Sequence, residues 1–234
     1  MNTRFPRRLL AAVCGTGVLA CGVLTAAGSP ATAAESRLSA AAGRTTAVVS
    51  GSVLSVTAAA GVENFMTISS TATGLVQIAD SAGVLAGTGC KPVNSVTVQC
   101  SGVGLGVLEI NVAGGDGDDT LFLSTSKFTR LTGGSGDDLL RSSSLTGSSR
   151  LSGNDGNDTV VGGPFDSLFG QNGNDVLTGG VFLSGGAGDD TLRSFEGRQT
   201  LDGGIGLDRA DAGLGTDDRC VNNEITANCE VFTS

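Results

Sequence analysis

Seven aspartates in the second half of the chain follow short glycine-rich strings at intervals that are nearly regular. Three of these strings fit G-G-x-G-x-D-x-U, where U is aliphatic, and they end at Leu121, Leu140 and Leu192. A carboxylate is a hard anionic ligand, and calcium takes about six to eight oxygen ligands at about 2.3–2.6 Å. One six-residue turn supplies too few oxygens, so the pattern predicts stacked turns that share calcium ions. The candidate ligands at position six are Asp119, Asp138, Asp158, Asp175, Asp190, Asp208 and Asp217.

Glycines at positions two and four accompany the aspartates in the full strings. A glycine backbone adopts left-handed conformations that a β-carbon disfavours, so the turn can be tight and can point its carbonyl oxygens inward. We therefore expect these turns to add calcium ligands beside the aspartates. The glycines concerned are Gly115, Gly117, Gly134, Gly136, Gly186, Gly188, Gly204 and Gly206.

The repeat also predicts the elements that position these turns. Residues 203–208 form a fourth full G-G-x-G-x-D string, and residues 153–158, 170–175 and 212–217 each differ by one letter. The x-U-x triplet after a turn predicts a minimal strand with its aliphatic side chain inward. Turn and strand then alternate every nine residues and coil into a parallel β-roll of about 18 residues per rung. The inward residues are expected to be Leu121, Leu140, Val160, Leu177 and Leu192.

Spacing assigns the aspartates to one edge of this roll. The first six follow one another at 15–20 residues, about one rung. The intervening turns lack the motif, and only Asp166 and Asp217 keep an acid near position six. The opposite edge should thus hold at most a site or two, and Asp166 should matter little. Six stacked turns have five gaps, which predicts about three to five ions on the first edge. The alternative is a symmetric roll with ions on both edges.

The strings closely resemble the RTX, or haemolysin-type calcium-binding, repeat family, and the resemblance covers residues 113–219. In that family the position-six aspartates and the turn carbonyls hold several Ca²⁺ ions, which implies the same role for the residues named above. The chain also resembles small secreted actinobacterial proteins of this type through its ending Asn228-Cys229-Glu230. Many RTX proteins use a C-terminal export signal, whereas this chain starts with an N-terminal one, so its secretion is not inferred from the family.

Residues 1–34 are typical of a secretory signal peptide. Three arginines lie among the first eight residues, an apolar run covers residues 9–27, and residues 29–34 form an A-x-A-type cleavage site. The alternatives are an uncleaved membrane anchor and lipidation at Cys21, which would make a cell-surface lipoprotein. The signal predicts a secreted, extracellular protein.

Residues 35–112 form a β-rich N-terminal region that is close to neutral. Short runs rich in β-branched residues alternate with turn-forming residues, and no stretch has a sustained helical period. Together with the roll, they predict an all-β fold: a parallel β-roll or β-helix solenoid of calcium-binding nonapeptide repeats over residues 113–219, preceded by this region. The predicted strands lie at residues 47–49, 53–57, 65–68, 75–78, 96–98 and 107–112.

Four cysteines remain after the signal segment, and an oxidising compartment favours disulfides. Three connectivities are possible. We favour the local pairs Cys90–Cys100 and Cys220–Cys229, the second stapling a C-terminal cap over residues 220–234. A zinc site is the competing interpretation, but the spacing lacks a C-x2-C knuckle.

Composition excludes several function classes. The chain has no His, Trp or Tyr, so it lacks the imidazole of a Ser-His-Asp triad and the aromatic platforms common in sugar-binding clefts. A net charge of −9 disfavours nucleic acid, and no membrane partner is expected unless Cys21 is lipidated. Calcium ions are the predicted partners. The acidic Gly-rich tract could alternatively be a disordered linker, but a linker does not require an aliphatic residue two positions after each aspartate.

The favoured function is a non-enzymatic, secreted calcium-binding protein that folds with its ions and acts as an extracellular structural or interaction module. Of the 23 acidic residues, 19 follow residue 112, against eight basic ones, so self-repulsion should oppose folding until cations bind. The alternatives are a Ca²⁺-dependent polysaccharide lyase or hydrolase on a parallel β-helix, and a cell-surface adhesin.

Overall fold

The computed structural model of the protein describes residues 43–102, 106–143 and 146–233. This part of the chain is all β, as predicted, and contains no helix that is long and apolar enough to cross a membrane. Residues 1–34, the predicted signal peptide with Cys21, lie outside the described residues. The strands are β1 (Thr45–Ser50), β2 (Val53–Thr57), β3 (Phe65–Ser70), β4 (Val76–Asp80), β5 (Val84–Ala86), β6 (Cys90–Asn94), β7 (Thr97–Cys100), β8 (Glu109–Asp116), β9 (Thr120–Ser124), β10 (Phe128–Ser135), β11 (Leu139–Ser142), β12 (Arg150–Asp155), β13 (Thr159–Val161), β14 (Ser167–Asn172), β15 (Val176–Thr178), β16 (Phe182–Ala187), β17 (Thr191–Arg193), β18 (Glu196–Gly197), β19 (Thr200–Ile205), β20 (Arg209–Asp211), β21 (Leu214–Gly215), β22 (Arg219–Val221), β23 (Ile225–Ala227) and β24 (Val231–Thr233).

Twenty-two of the described strands form two facing sheets of eleven strands each, and β18 and β21 form a separate two-stranded sheet. Sheet A has the order β24-β22-β19-β16-β14-β12-β10-β8-β2-β1-β5, and sheet B has the order β23-β20-β17-β15-β13-β11-β9-β3-β4-β7-β6. From β8 onward all pairings within both sheets are parallel, so the chain winds from one sheet to the other and back. The repeat region is therefore a parallel β-solenoid, which confirms the predicted fold class.

Aliphatic side chains stack in two columns between the sheets. A three-residue strand has one inward side chain, so no rung has a core of its own and each must stack on its neighbours. The five inward residues predicted from the x-U-x triplets are all fully buried. The sheet A column aligns Val112, Leu131, Leu151, Leu168, Leu183, Leu201 and Cys220, and the sheet B column aligns Met66, Leu121, Leu140, Val160, Leu177, Leu192 and Ala210.

The N-terminal strands continue the solenoid and cover its first end. β2 pairs in parallel with β8, and β3 pairs in parallel with β9, so these two strands make the first coil. The hairpins β1–β2, β3–β4 and β6–β7 are antiparallel and extend both sheets beyond that coil. The change of composition near residue 112 falls inside β8, and one hydrophobic core runs across it.

All eight glycines predicted at positions two and four have positive φ angles, between 100° and 154°. Gly134 shows why glycine is required, because a β-carbon there would collide with the carbonyl oxygen of Gly115 in the previous rung. The turns therefore combine left-handed backbone with direct backbone-to-backbone stacking.

Both local disulfides are present, which confirms the predicted pairing. Cys90 and Cys100 lie opposite each other in β6 and β7. Cys220 is buried in the sheet A column and is joined to Cys229, with a Cα–Cα distance of 5.9 Å. The loop closed by this second bond contains β23, the last strand of sheet B.

Candidate metal centre

Six aspartates line up along one edge of the solenoid, where each turn leads into a strand of sheet B. The backbone N–H of Asp119 donates to Asp138 Oδ1 over 2.8 Å. The same bond repeats from rung to rung with N···O distances of 2.7–2.9 Å between residues 15–20 positions apart. We call this row the aspartate edge; its members are Asp119, Asp138, Asp158, Asp175, Asp190 and Asp208.

The second carboxylate oxygen, Oδ2, of all six aspartates is buried and has no hydrogen-bond partner. These residues are at most 2% exposed. Burying a carboxylate oxygen without a partner is costly, and a neighbouring cation removes that cost. A row of such oxygens is the electrostatic signature of a cation-binding edge.

Position-one glycines form the wall beside each unpaired oxygen. A β-carbon added at Gly153 would collide with the carboxylate of Asp158. At Gly170, the added carbon would lie 2.6 Å from the carbonyl oxygen of Gly185, in the next rung, and closer still to Asp175 Oδ2. A carboxylate oxygen and a main-chain carbonyl oxygen thus face one small space, which only glycine leaves open. Gly114, Gly185 and Gly203 bring together the same kinds of atoms.

Burial perturbs the acidity of this row. Desolvation raises the pKa of Asp138 and of Asp175 to about 7, although each accepts a backbone hydrogen bond that opposes the shift. It raises the pKa of Asp190 to about 6. Negative charges on adjacent rungs raise these pKa values further. The pKa values of the other members, Asp119, Asp158 and Asp208, are also raised, with desolvation as the main cause.

Two residues that the sequence motif does not identify end the row. Asn64 precedes β3, and both its backbone N–H and its side-chain amide donate to Asp119 Oδ1, over 2.7 and 2.9 Å. At the other end, the backbone N–H of Asp208 donates to Glu224 Oε2 over 2.7 Å. Asn64 lies two residues before the inward-facing Met66, as each aspartate does before its aliphatic residue. That spacing is the signal that could have identified it.

An exposed second row runs beside the first at position five. Here the bond direction is reversed, since the N–H of Asp137 donates to Asp118 Oδ1 of the preceding rung over 2.9 Å. The row ends where Leu207, which has no side-chain acceptor, donates its N–H to Asp189 Oδ1. We call this the outer row; its members are Asp118, Asp137, Asn157, Asn174 and Asp189.

Three further aspartates, Asp166, Asp217 and Asp218, lie in turns of the opposite edge. Asp217 is exposed with a φ of 67° and is not brought together with the six. Its neighbour Asp218 is fully buried and lies two residues before the inward-facing Cys220. Asp166 is also fully buried, and it accepts bonds from the backbone N–H groups of Ser149 and Gly163, each over 2.7 Å. Asp166 thus has a structural role that its place in a degenerate turn did not predict.

The residues of the aspartate edge fit a calcium ion. Within the described ranges, no cluster of three or more Cys, Asp or Glu side chains could hold a metal by itself, so main-chain carbonyl oxygens have to complete the coordination. Calcium accepts such mixtures of carboxylate, carbonyl and water oxygens. The unpaired Oδ2 atoms and the glycine carbonyls beside them are oxygen donors of this kind.

Comparison with known families agrees with this geometry. The family model of the RTX calcium-binding nonapeptide repeat matches four copies, at residues 111–124, 132–166, 152–181 and 182–210. No curated protein and no solved structure matches the chain. The matched segments contain all six members of the aspartate edge. Residues 111–210 of this chain therefore carry RTX calcium-binding nonapeptide repeats.

Proposed function

We propose that the protein is a secreted, non-enzymatic calcium-binding module whose solenoid folds around several Ca²⁺ ions. The row of six buried carboxylate oxygens without hydrogen-bond partners supports this most directly. Without cations, folding must bury these carboxylates and bring their like charges close together in adjacent rungs, and both effects oppose folding. With calcium, the same oxygens become ligands, so ion binding and folding are coupled.

The ligands are assigned to the aspartate edge and to the carbonyl oxygens of its turns. Asp119, Asp138, Asp158, Asp175, Asp190 and Asp208 supply the carboxylates, and the positive-φ glycines let the turns approach closely enough to share ions. About three to five ions would occupy the five gaps, each held between two rungs.

The energetic contribution of these ions is large enough to decide folding. Extracellular calcium modules bind with dissociation constants of about 10⁻⁴–10⁻³ M. At a tenfold excess of calcium over the dissociation constant, each site adds about 1.4 kcal/mol to the folded state. Several sites then contribute an amount comparable to the whole stability of a typical domain, about 5–15 kcal/mol.

A structural or interaction role fits these carboxylates better than catalysis on polysaccharides. Glycoside hydrolysis needs two carboxyl groups poised around a bound sugar as acid and base or nucleophile. Each aspartate of the edge instead holds a backbone N–H of the preceding rung through Oδ1. Its Oδ2 faces a space closed by a glycine.

Calcium titration of the mature chain, followed by far-UV circular dichroism, tests the proposal. We expect β-sheet signal to appear between metal-free buffer and about 10 mM Ca²⁺ at pH 7.5, and Mg²⁺ to substitute poorly because it demands a smaller octahedral shell. Asp158→Asn should raise the calcium concentration needed, whereas Asp155→Asn, exposed three positions upstream, is the matched control. An unchanged spectrum together with no bound calcium by metal analysis would overturn the proposal.

Secretion has its own test. Mass spectrometry of the exported protein should find a mature N-terminus that begins directly after Ala33 or Ala34. An acylated Cys21 in the membrane fraction would instead identify a cell-surface lipoprotein and would favour the adhesin alternative.

A further inference from the structure

Asp218, on the opposite edge, has a buried carboxylate oxygen without a hydrogen-bond partner, like the members of the aspartate edge. It is fully buried, and its Oδ1 accepts the backbone N–H of Gln199 over 2.8 Å. Its own N–H donates to Glu230 Oε2 over 2.8 Å. Its Oδ2 is buried without a hydrogen-bond partner, as are the Oδ2 atoms of the six aspartates on the other edge.

A main-chain oxygen faces the same space. The short strands β18 and β21 pair Gly197 with Gly215 in parallel, which stacks the turns over residues 194–199 and 213–218. A β-carbon added at Gly215 would lie 2.6 Å from Asp218 Oδ2, and closer still to the carbonyl oxygen of Gly197. On the aspartate edge, Gly170 likewise separates a carboxylate oxygen from the carbonyl oxygen of an adjacent rung. The same pair of oxygen types therefore recurs on the other side of the solenoid.

We propose that Asp218 Oδ2 and the Gly197 carbonyl oxygen belong to a separate calcium site between these two turns, on the opposite edge. Neither the turn at residues 194–199 nor the turn at residues 213–218 has the full G-G-x-G-x-D sequence. Asp218 also lies beyond the last matched repeat, which ends at residue 210. The inference rests on the proposed calcium-binding function and adds a site with its own ligand.

Two neighbouring acids show why the site falls on Asp218. Asp166 on the same edge is equally buried, but both of its oxygens accept backbone N–H groups, so neither is left for an ion. Asp217 is adjacent in sequence and exposed, with its backbone turned to a positive φ. The carboxylate with a buried, unpaired oxygen is Asp218.

Oxygen-only donors and a carboxylate point to a hard divalent cation, and calcium is the one that tolerates irregular shells completed by carbonyls and water. The position of the site also indicates a structural role for the ion. It joins the turn before β19 to the turn before β22, so the ion would hold the last complete coil to the segment that closes the solenoid.

The test is calcium stoichiometry of the mature chain by equilibrium dialysis and metal analysis. Asp218→Asn should bind one ion fewer than the wild type, while Asp217→Asn, at the exposed neighbouring position, should bind the wild-type number. If Asp218→Asn keeps the wild-type number, this inference is wrong and the sites of the aspartate edge stand. If the wild type itself binds no calcium, both this inference and the proposed function fail.

A second measurement covers the case in which Asp218→Asn does not fold. In crystals of the wild-type protein grown with calcium, anomalous scattering should locate an ion between Asp218 Oδ2 and the carbonyl oxygen of Gly197. Ions on the aspartate edge with none at Asp218 would overturn the site on the opposite edge. An ion at both places supports it.

Discussion

On the aspartate edge every coil of the repeat places an aspartate at position six, two residues before the inward aliphatic residue. On the opposite edge the equivalent position changes from coil to coil. Its occupants in chain order are Thr129, Ser149, Asp166, Val181, Gln199 and Asp218. The aspartate edge is uniform, with one unpaired carboxylate oxygen at each coil, whereas on the opposite edge the two buried aspartates, Asp166 and Asp218, differ in their hydrogen-bond partners.

Asp166 shows that a buried carboxylate alone does not make a cation site. Its two oxygens are satisfied by the N–H groups of Ser149 and Gly163, because the turn before it folds back toward the carboxylate. On the aspartate edge, one backbone N–H reaches each carboxylate, and a carbonyl oxygen of an adjacent rung faces the second carboxylate oxygen. The number of backbone donors around the carboxylate therefore separates a structural aspartate from a ligand.

The largest expected effect is a reversal of pH dependence by calcium. The raised pKa values mean that the folded, metal-free solenoid retains protons that the unfolded chain releases between about pH 4 and 7. Stability without metal should therefore fall as the pH rises through that window, and acid should partly replace calcium. With saturating calcium the carboxylates are held ionised, so folding should persist at pH 7.5. Circular dichroism melts in metal-free and calcium buffers at pH 5 and 7.5 measure both trends.

The opposite result would break the comparison of the two edges. If metal-free protein is as stable at pH 7.5 as at pH 5, the unpaired carboxylates of the aspartate edge cost nothing. The reasoning that distinguishes them from Asp166 would then be wrong.

Removing Asp166 should destabilise the fold whether or not calcium is present. Asp166→Ala leaves two buried N–H groups unpaired, and we expect a loss of about 2–5 kcal/mol in urea unfolding. Asp158→Ala should cost less in metal-free buffer at pH 5, where the fold persists without ions, than in calcium at pH 7.5, where it also removes a ligand. A cost of Asp166→Ala that appears only with calcium would identify Asp166 as a ligand.

The C-terminal staple should affect both edges together. The loop between Cys220 and Cys229 contains Glu224, which ends the aspartate edge, and Glu230 beside it ends the opposite edge. The double variant Cys220→Ala/Cys229→Ala should lose about 2–3 kcal/mol. Hydrogen exchange should increase in residues 203–230.

The other disulfide is the matched control for the staple. The Cys90–Cys100 disulfide closes a loop of similar length at the first end of the solenoid, so Cys90→Ala/Cys100→Ala should lose a similar amount of stability. Its increased exchange should be confined to β4, β6 and β7. Equal exchange changes at both ends in either variant would show that the caps do not act locally.

The sequence predicts the repeating part of the molecule because the same motif recurs in each rung. Gly-rich turns and one aliphatic residue per triplet identified the solenoid, the inward column and the six aspartates that share an edge. The motif could not identify Asn64 or Glu224, since their turns lack the glycines. In the last turn the motif assigned position six to Asp217. The buried Asp218 instead lies two residues before the inward-facing Cys220, which is the spacing of the other position-six aspartates.

The first coil could not be predicted for a different reason. The parallel pairing of β2 with β8 joins residues 53–57 to residues 109–113 through backbone hydrogen bonds, which no side-chain type encodes. The run of residues 53–57 predicted a strand correctly but not its partner. On its other side β2 pairs with β1 in an antiparallel hairpin, and the residues of β2 do not encode that arrangement either.

The smallest expected effect concerns the outer row, which lies beside the aspartate edge but is exposed. Asn157 Oδ1 accepts the N–H of Asn174 over 2.9 Å, and its own N–H donates to Asp137 Oδ1 over 2.7 Å. Asn157→Ala removes the acceptor, but water can replace it, so we expect a loss of about 0.5–1 kcal/mol. Because no ligand is lost, the change should be the same with and without calcium.

Asn157→Asp refines this last comparison, since it keeps the acceptor and adds a charge near Asp137 and Asp158. In metal-free buffer at pH 5, where the fold persists, the extra repulsion should lower the urea midpoint below that of the wild type. Calcium in the adjacent gaps should restore the midpoint, because the bound ions screen the added charge. A loss that persists at saturating calcium would show that the outer row lies beyond the influence of the ions and that the aspartate edge binds them with its buried row alone.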